Sequence, residues 1–241
     1  VPRFFVEKGR ISADTVWLEE AELRHLRVLR LRPEETFTVC DGKGRTYLCR
    51  LREDGQSAAI LRTAASEGEP TVDCTIFAAF AKGEKTDWII QKSVELGAAE
   101  LVLFPSARCV ARVTPETLSK KLTRWQKISE EAAKQCGRDR IPPIRAMSTF
   151  ADAAEAAGGA SLPLFFYEAE TRTGLRQALA EEDAPRTISI FTGPEGGFTT
   201  EEATLAKHAG LRSVSLGKRI LRCETAPLAA LAAVMYHSGN L

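Results

Sequence analysis

The chain is poor in the residues that build metal and thiol chemistry. Its three histidines, His25, His208 and His237, are scattered, and its six cysteines, Cys40, Cys49, Cys74, Cys109, Cys136 and Cys223, never form a C-x-x-C pair. No zinc-ligand spacing results, so no metal is expected. H-E-x-x-H is absent, as is the G-x-S-x-G elbow, which leaves zinc peptidase and serine hydrolase readings without a basis. No apolar run approaches the ~18 residues of a membrane span. The opening VPRFFVEKGR lacks the apolar core of a secretory signal, which predicts a cytoplasmic protein with reduced, buried or inert thiols. Net charge is nearly absent too: Lys+Arg 33 against Asp+Glu 32 excludes a polycationic tail but not a local basic face.

What remains has the composition of a globular chain, with 44% apolar and 27% charged residues in 241. Character changes near residue 70. Before it lie short β-rich runs, Thr36 to Asp41, Thr46 to Leu51 and Ser57 to Thr63, with a hairpin signal at Asp41-Gly42-Lys43-Gly44. One helix is predicted over Glu20 to Leu31. Ser66 to Pro70 reads as a linker. Beyond it, predicted strands (Cys74 to Phe80, Leu101 to Phe104, Leu162 to Tyr167, Thr187 to Phe191, Ser213 to Leu216) alternate with helices. These open near Thr86, at Pro115 behind Thr114, and behind Thr199, whose capping box has Glu202 as its partner; they stop at Gly97, Gly137 and Gly210. The last helix, Pro227 to His237, is apolar or small nearly all round, which suits burial or a subunit interface. Alternation of this kind implies an α/β domain with a mainly parallel sheet. The division expected is residues 1–70 and 71–241.

Two loops stand out, each between a strand and a helix. Gly193-Pro194-Glu195-Gly196-Gly197 lets backbone approach a ligand closely, though a strand–helix turn needing positive φ is an equal explanation. It is neither a Walker A loop nor a G-x-G-x-x-G fingerprint. Leu216 to Thr225 (LGKRILRCET) clusters three cations with one carboxylate, suited to an anionic partner or to a solvated Arg–Glu pair. A third feature is basic: residues 108–145 hold ten Lys/Arg against four acids, either a phosphate-facing surface or a solvated helix face. Lys82 to Ala98 (KGEKTDWIIQKSVELGA) is a polar loop leading into an amphipathic helix.

Taken together, Pro2 to Phe5, His25 to Arg30, Lys82 to Ala98, Arg124 to Arg140, Gly193 to Gly197 and Leu216 to Thr225 resemble the bacterial 16S ribosomal RNA (uracil-N3)-methyltransferase family of the SPOUT superfamily. The resemblance runs over the whole chain. It implies a small PUA-like β-barrel for RNA binding, then a SPOUT domain with a trefoil knot, a homodimer, and S-adenosylmethionine as cofactor. It places that cofactor against Phe166, Tyr167, Thr192, Gly193, Glu195, Gly196, Gly197, Leu216, Gly217, Ile220, Leu221 and Thr225. RNA contacts would come from Arg3, Arg27, Arg30, Lys82, Lys85, Arg112, Arg138 and Arg140. The family pattern has Pro where Lys218 stands, Thr where Cys223 stands, and Thr-Ala-Leu where Ala226-Pro227-Leu228 stands.

The reaction implied is methyl transfer to N3 of a uridine. N3 attacks only after losing its proton, and the anion spreads onto the ring oxygens, so a nearby cation favours the step. Arg222 suits that role, with Glu224, or a water it orients, as base. Two other readings are a SPOUT methyltransferase with another RNA target, and an inactive ribosome-assembly protein that binds RNA. Cofactor binding separates the second from the enzymes.

Overall fold

The computed structural model of the protein describes residues 2–32, 34–64, 68–182 and 185–241. Ser66 and Glu67 of the expected linker lie outside the described residues. The chain forms two compact units, one of residues 1–69 with 133–141, the other of residues 70–132 with 142–241.

The first unit contains β1 (Arg3–Phe5), β2 (Thr15–Trp17), α1 (Glu20–Val28), β3 (Thr36–Cys40), β4 (Thr46–Leu51) and β5 (Ser57–Ala64), in a five-stranded sheet of order β1-β3-β4-β5-β2. The expected hairpin joins β3 to β4. Gly42 and Gly44 take φ of +69° and +99°, and the Asp41 carboxylate accepts the N–H groups of Lys43 and Arg45 at 2.8 and 3.0 Å. Helix α1 ends three residues before the predicted Leu31, because Arg30 takes the left-handed φ of +52° that no helix continues. Leu23 and Leu26 of α1 pack with Phe4, Val16, Phe37 and Val39 as the core of this unit.

The second unit alternates β6 (Asp73–Ala79), α2 (Lys85–Glu95), β7 (Glu100–Phe104), α3 (Pro115–Cys136, whose last four residues count with the first unit), β8 (Ile144–Ala146), α4 (Phe150–Gly158), β9 (Leu162–Phe166), α5 (Leu175–Ala180), β10 (Thr187–Thr192), α6 (Thr200–His208), β11 (Arg212–Val214) and α7 (Ala226–His237). Its strands pair in parallel throughout, in the order β11-β9-β10-β6-β7-β8. The expected glycine stops hold: Gly97, Gly137 and Gly210 take φ of +96°, +81° and +88°. So does the capping box of α6, where Thr199 and Glu202 exchange side-chain-to-backbone bonds of 3.0 and 3.1 Å. The expected strand at Ser213 to Leu216 is shifted one residue earlier and ends at Val214. Ser215 there turns to bond the 173–175 backbone, accepting from Leu175 at 3.1 Å and donating to Thr173 at 2.9 Å. Strand β8 and helices α4 and α5 were not among the predicted elements.

Strand order decides where a ligand can sit. From β6 the chain runs outward through β7 to β8, then returns to the other side, where β10 lies between β6 and β9. The sheet therefore changes direction between β6 and β10, and in open parallel sheets ligands gather at the carboxyl ends of the strands near such a reversal. Among the described residues, no helix is long and apolar enough to cross a membrane.

Candidate active site

Three loops at the carboxyl ends of β9, β10 and β11 enclose a cavity of about 480 Å³, within the range of small-molecule sites. From β9 come Phe166, Tyr167 and Glu168; from β10, the backbone of Gly193 to Gly197; from β11, Ser215 to Gly217 and Arg219 to Cys223. The walls mix apolar side chains with bare backbone, as an adenosine and an amino-acid tail joined through sulfur require. Gly217, at φ +103°, has open space where a Cβ would stand. The residues present therefore fit S-adenosylmethionine.

The cavity is anchored from below by aromatic packing. Phe198, immediately after the glycine loop, lies 4.6 Å from the Phe165 ring and 5.9 Å from Phe191, and Phe104 and Phe150 complete the cluster. The glycines are needed for that seating. A Cβ on Gly193 would press the Phe198 ring at 3.0 Å, one on Gly196 the Arg108 Cβ at 2.8 Å and its carbonyl oxygen at 3.1 Å, and one on Gly197 the Glu168 carboxylate. Gly197 also has φ +68°. Arg108 holds the loop from the side, donating to the Gly196 and Phe198 carbonyls at 3.2 Å each. Both explanations of the loop thus hold: it is a turn that demands glycine, and it forms the cavity wall.

One charged cluster joins the loops. The Lys85 ammonium, on the first turn of α2, lies 3.3 Å from Glu195 Oε1 and 3.3 Å from Glu224 Oε2. The Lys82 N–H also donates to Glu195 at 3.0 Å, and the Cys223 thiol donates to Glu224 at 3.2 Å. Burial works to raise the Glu195 carboxyl, but the Lys82 and Glu195 N–H groups and the Lys85 ammonium outweigh it and hold it below the usual 4.5. Glu224 is likewise depressed: burial is outweighed by its own N–H, the Cys223 thiol and Lys85. Burial, and then the bond to Glu224, push the Cys223 thiol up to about 12, so it stays protonated and unreactive at neutral pH.

The expected cofactor residues Phe166, Tyr167, Gly193, Glu195, Gly196, Gly197, Leu216, Gly217, Ile220 and Leu221 are brought together on this cavity, as is Arg222. Thr192 is buried beneath it, its hydroxyl donating to the Phe77 carbonyl at 3.3 Å. Thr225 precedes α7 with its side chain exposed, and Glu224, next to the wall residue Cys223, is itself off the cavity wall and pairs with Lys85 at 3.3 Å. Arg219 and Cys223, within the Leu216 to Thr225 loop, also line it, as do Glu168 and Ser215, which were not singled out; their signal was adjacency to Tyr167 and to the glycine at the exit of β11.

The expected RNA contacts are more divided. Arg27, Arg30, Lys82, Arg112 and Arg140 are exposed. Lys85 is engaged with carboxylates. Arg3 pairs with the buried Asp139, which also accepts the Thr46 hydroxyl at 2.7 Å. For Arg138 the structure corrects the expectation. Its side chain is 5% exposed and its guanidinium bound to Glu69 at 2.7 Å, because Glu69 also accepts the N–H groups of Asp139 and Arg140 and draws that turn inward. The basic stretch is likewise partly spent: Arg124 pairs with Asp87, Arg145 with Glu100, and Arg108 with carbonyls. Cys40, Cys49 and Cys74 are buried as expected, whereas Cys136 is exposed. No group of three or more metal-ligating side chains occurs among the described residues.

Residues 68–235 match the RNA methyltransferase domain, and residues 18–62 match the RNA methyltransferase PUA domain. The ribosomal RNA small subunit methyltransferase E of Synechocystis sp. is 37% identical over 96% of this chain and 76% of its own length. That of Bacillus subtilis is 31% identical over 98% of this chain and 96% of its own. The crystal structure of the Neisseria gonorrhoeae protein of the same name, bound to S-adenosyl methionine, superposes with a TM-score of 0.80 at 35% identity, covering 97% of this chain and 96% of that one.

Proposed function

The chain belongs to the ribosomal RNA small subunit methyltransferase E family, and from that premise we propose that it transfers a methyl group from S-adenosylmethionine to N3 of a uridine in 16S ribosomal RNA. The observation that carries the reading is the cavity walled by the loops after β9, β10 and β11, which matches an adenosyl cofactor in size and chemistry. When bound, S-adenosylmethionine supplies an electrophilic methyl group on a sulfonium. Backbone of the 193–197 and 215–223 loops holds the cofactor, and Phe166, Leu216, Ile220 and Leu221 exclude water from it. Arg222, on the cavity wall, stabilises the negative charge that develops on the uracil oxygens as the N3 proton leaves. Glu224 is ionised at neutral pH and takes that proton directly or through a water. Its depressed pKa makes it a weak base, so Arg222 carries the larger share.

N3 is occupied in Watson–Crick pairing, so the target base is unpaired or flipped out when it reacts. The exposed Arg27, Arg30, Lys82, Arg112 and Arg140 bind the RNA backbone in this reading, with Arg3 beside Asp139 as a further contact. The N-terminal unit serves as a PUA-like RNA-binding barrel and the second unit as a SPOUT domain; against the expected division at 70/71, residue 70 counts with the second unit and residues 133–141 with the first. A trefoil knot in the latter is supported by the path of the chain: β10 lies between β9 and β6, and after β11, outside β9, the chain returns so that α7 packs on β10, β6, α2 and α5. A homodimer is supported by α7, whose Pro227, Ala230, Leu231, Val234 and Met235 are buried while Leu228, Ala229, Ala232 and Ala233 are partly exposed. A location in the cytoplasm follows from the substrate.

The test is transfer of tritium from labelled S-adenosylmethionine to small ribosomal subunits from cells lacking this protein, followed by nucleoside digestion. Label in 3-methyluridine is expected. Label in another nucleoside would overturn the N3 assignment, and cofactor binding without transfer would point to another RNA.

A further inference from the structure

We propose that Lys85 is a positioning residue that ties the two cofactor loops together and thereby sets the shape of the cavity. Lys85 does not line the cavity. It stands behind it, on α2, and receives one carboxylate from each of two loops that follow different strands: Glu195 from the loop after β10 and Glu224 from the loop after β11. Both oxygens are 3.3 Å from one nitrogen, so the carboxylates stand within about 7 Å of each other and repel without the ammonium between them. The tie is reinforced on both sides. The Lys82 N–H fixes Glu195 at 3.0 Å, and Cys223, a wall residue, donates to Glu224 at 3.2 Å while lying 3.7 Å from the Lys85 ammonium.

An ordinary exposed ion pair stabilises little. This arrangement differs in what it connects. Lys85, Glu195 and Glu224 side chains are only 30%, 22% and 27% exposed, and their separation controls whether Gly193–Gly197 and Leu216–Cys223 face each other across one cofactor-sized space. A basic residue read from the sequence as an RNA contact is thereby assigned to the cofactor pocket.

The inference rests on the cofactor reading above, and binding rather than turnover tests it. S-adenosylmethionine is titrated calorimetrically into the wild-type chain and into Lys85→Met, Lys85→Arg, Glu224→Gln and Lys85→Met/Glu224→Gln. Lys85→Met is expected to weaken binding about tenfold, and Lys85→Arg to stay within about threefold of wild type. Lys85→Met/Glu224→Gln should bind more tightly than Lys85→Met, because one repelling charge is gone. Wild-type affinity in Lys85→Met overturns the tie. So does a double variant no better than the single one, the result expected if Lys85 touched the cofactor itself. Should Lys85→Met not fold, Glu195→Gln/Glu224→Gln severs the same tie from the other side, and unchanged binding there overturns it equally. Failure of the wild-type chain to bind S-adenosylmethionine would instead remove the cofactor reading, and the tie with it.

Discussion

Arg222 and Cys223 are neighbours in sequence with opposite chemical prospects. Arg222 is exposed on the cavity wall, free to meet an anion forming on a base. Cys223 is half-buried against Glu224 with its thiol raised to about 12. It keeps a hydrogen-bond donor toward Glu224 without becoming a nucleophile. Arg222→Ala should lower the single-turnover rate by about 10²–10³-fold, the loss typical of one charge-stabilising donor, while leaving cofactor affinity nearly unchanged. A rate within error of wild type would remove Arg222 from the chemistry.

At the scale of elements, the loop after β10 is held by what flanks it. Strand β10 ends in the buried Thr192, Phe198 seats in the aromatic cluster, and the Thr199–Glu202 box starts α6. Glu202 is itself buried and accepts the Ala107 N–H at 2.8 Å, tying α6 to the segment after β7. Phe198→Ala should cost about 3–5 kcal/mol in urea unfolding, from the lost burial and the cavity left behind. It should also loosen the cofactor loop. Thr199→Ala should cost about 1 kcal/mol, because it removes one cap acceptor and leaves the rest of the box in place.

Much at this scale was legible in the sequence, because caps and stops act over three or four residues. Thr199 with Glu202, Pro115 behind Thr114, and the glycines ending α2, α3 and α6 all sit where their local chemistry requires. The missed elements lack such signals. Strands β1, β2 and β8 have three residues each, too few for alternation to show. Helix α5 has six residues. Helix α4 buries Phe150 with Ala153, Ala154 and Ala157, and alanine gives weak apolar contrast, although its Thr149 cap was readable.

For the whole molecule, the open question is assembly. Helix α7 presents small residues along its partly exposed side and Tyr236, which is 76% exposed, near its end. Sedimentation at micromolar concentration should give twice the chain mass of 26.4 kDa. Ala232→Glu, which places a charge on that side, should shift the protein toward monomer. A monomeric wild type would remove α7 from any interface.

By itself the sequence determined the alternation of strands and helices, the stops and caps, and the two glycine-bearing loops at strand exits, since each depends on backbone preferences of a few neighbouring residues. Only the tertiary structure decided that β10 lies between β6 and β9, that Arg138 is buried on Glu69, and that Lys85 meets Glu195 and Glu224. Those carboxylates lie more than a hundred residues beyond Lys85, and a charge in a sequence carries no mark of its partner. The partner is chosen by strand order, which is set by burial of apolar faces across the whole sheet.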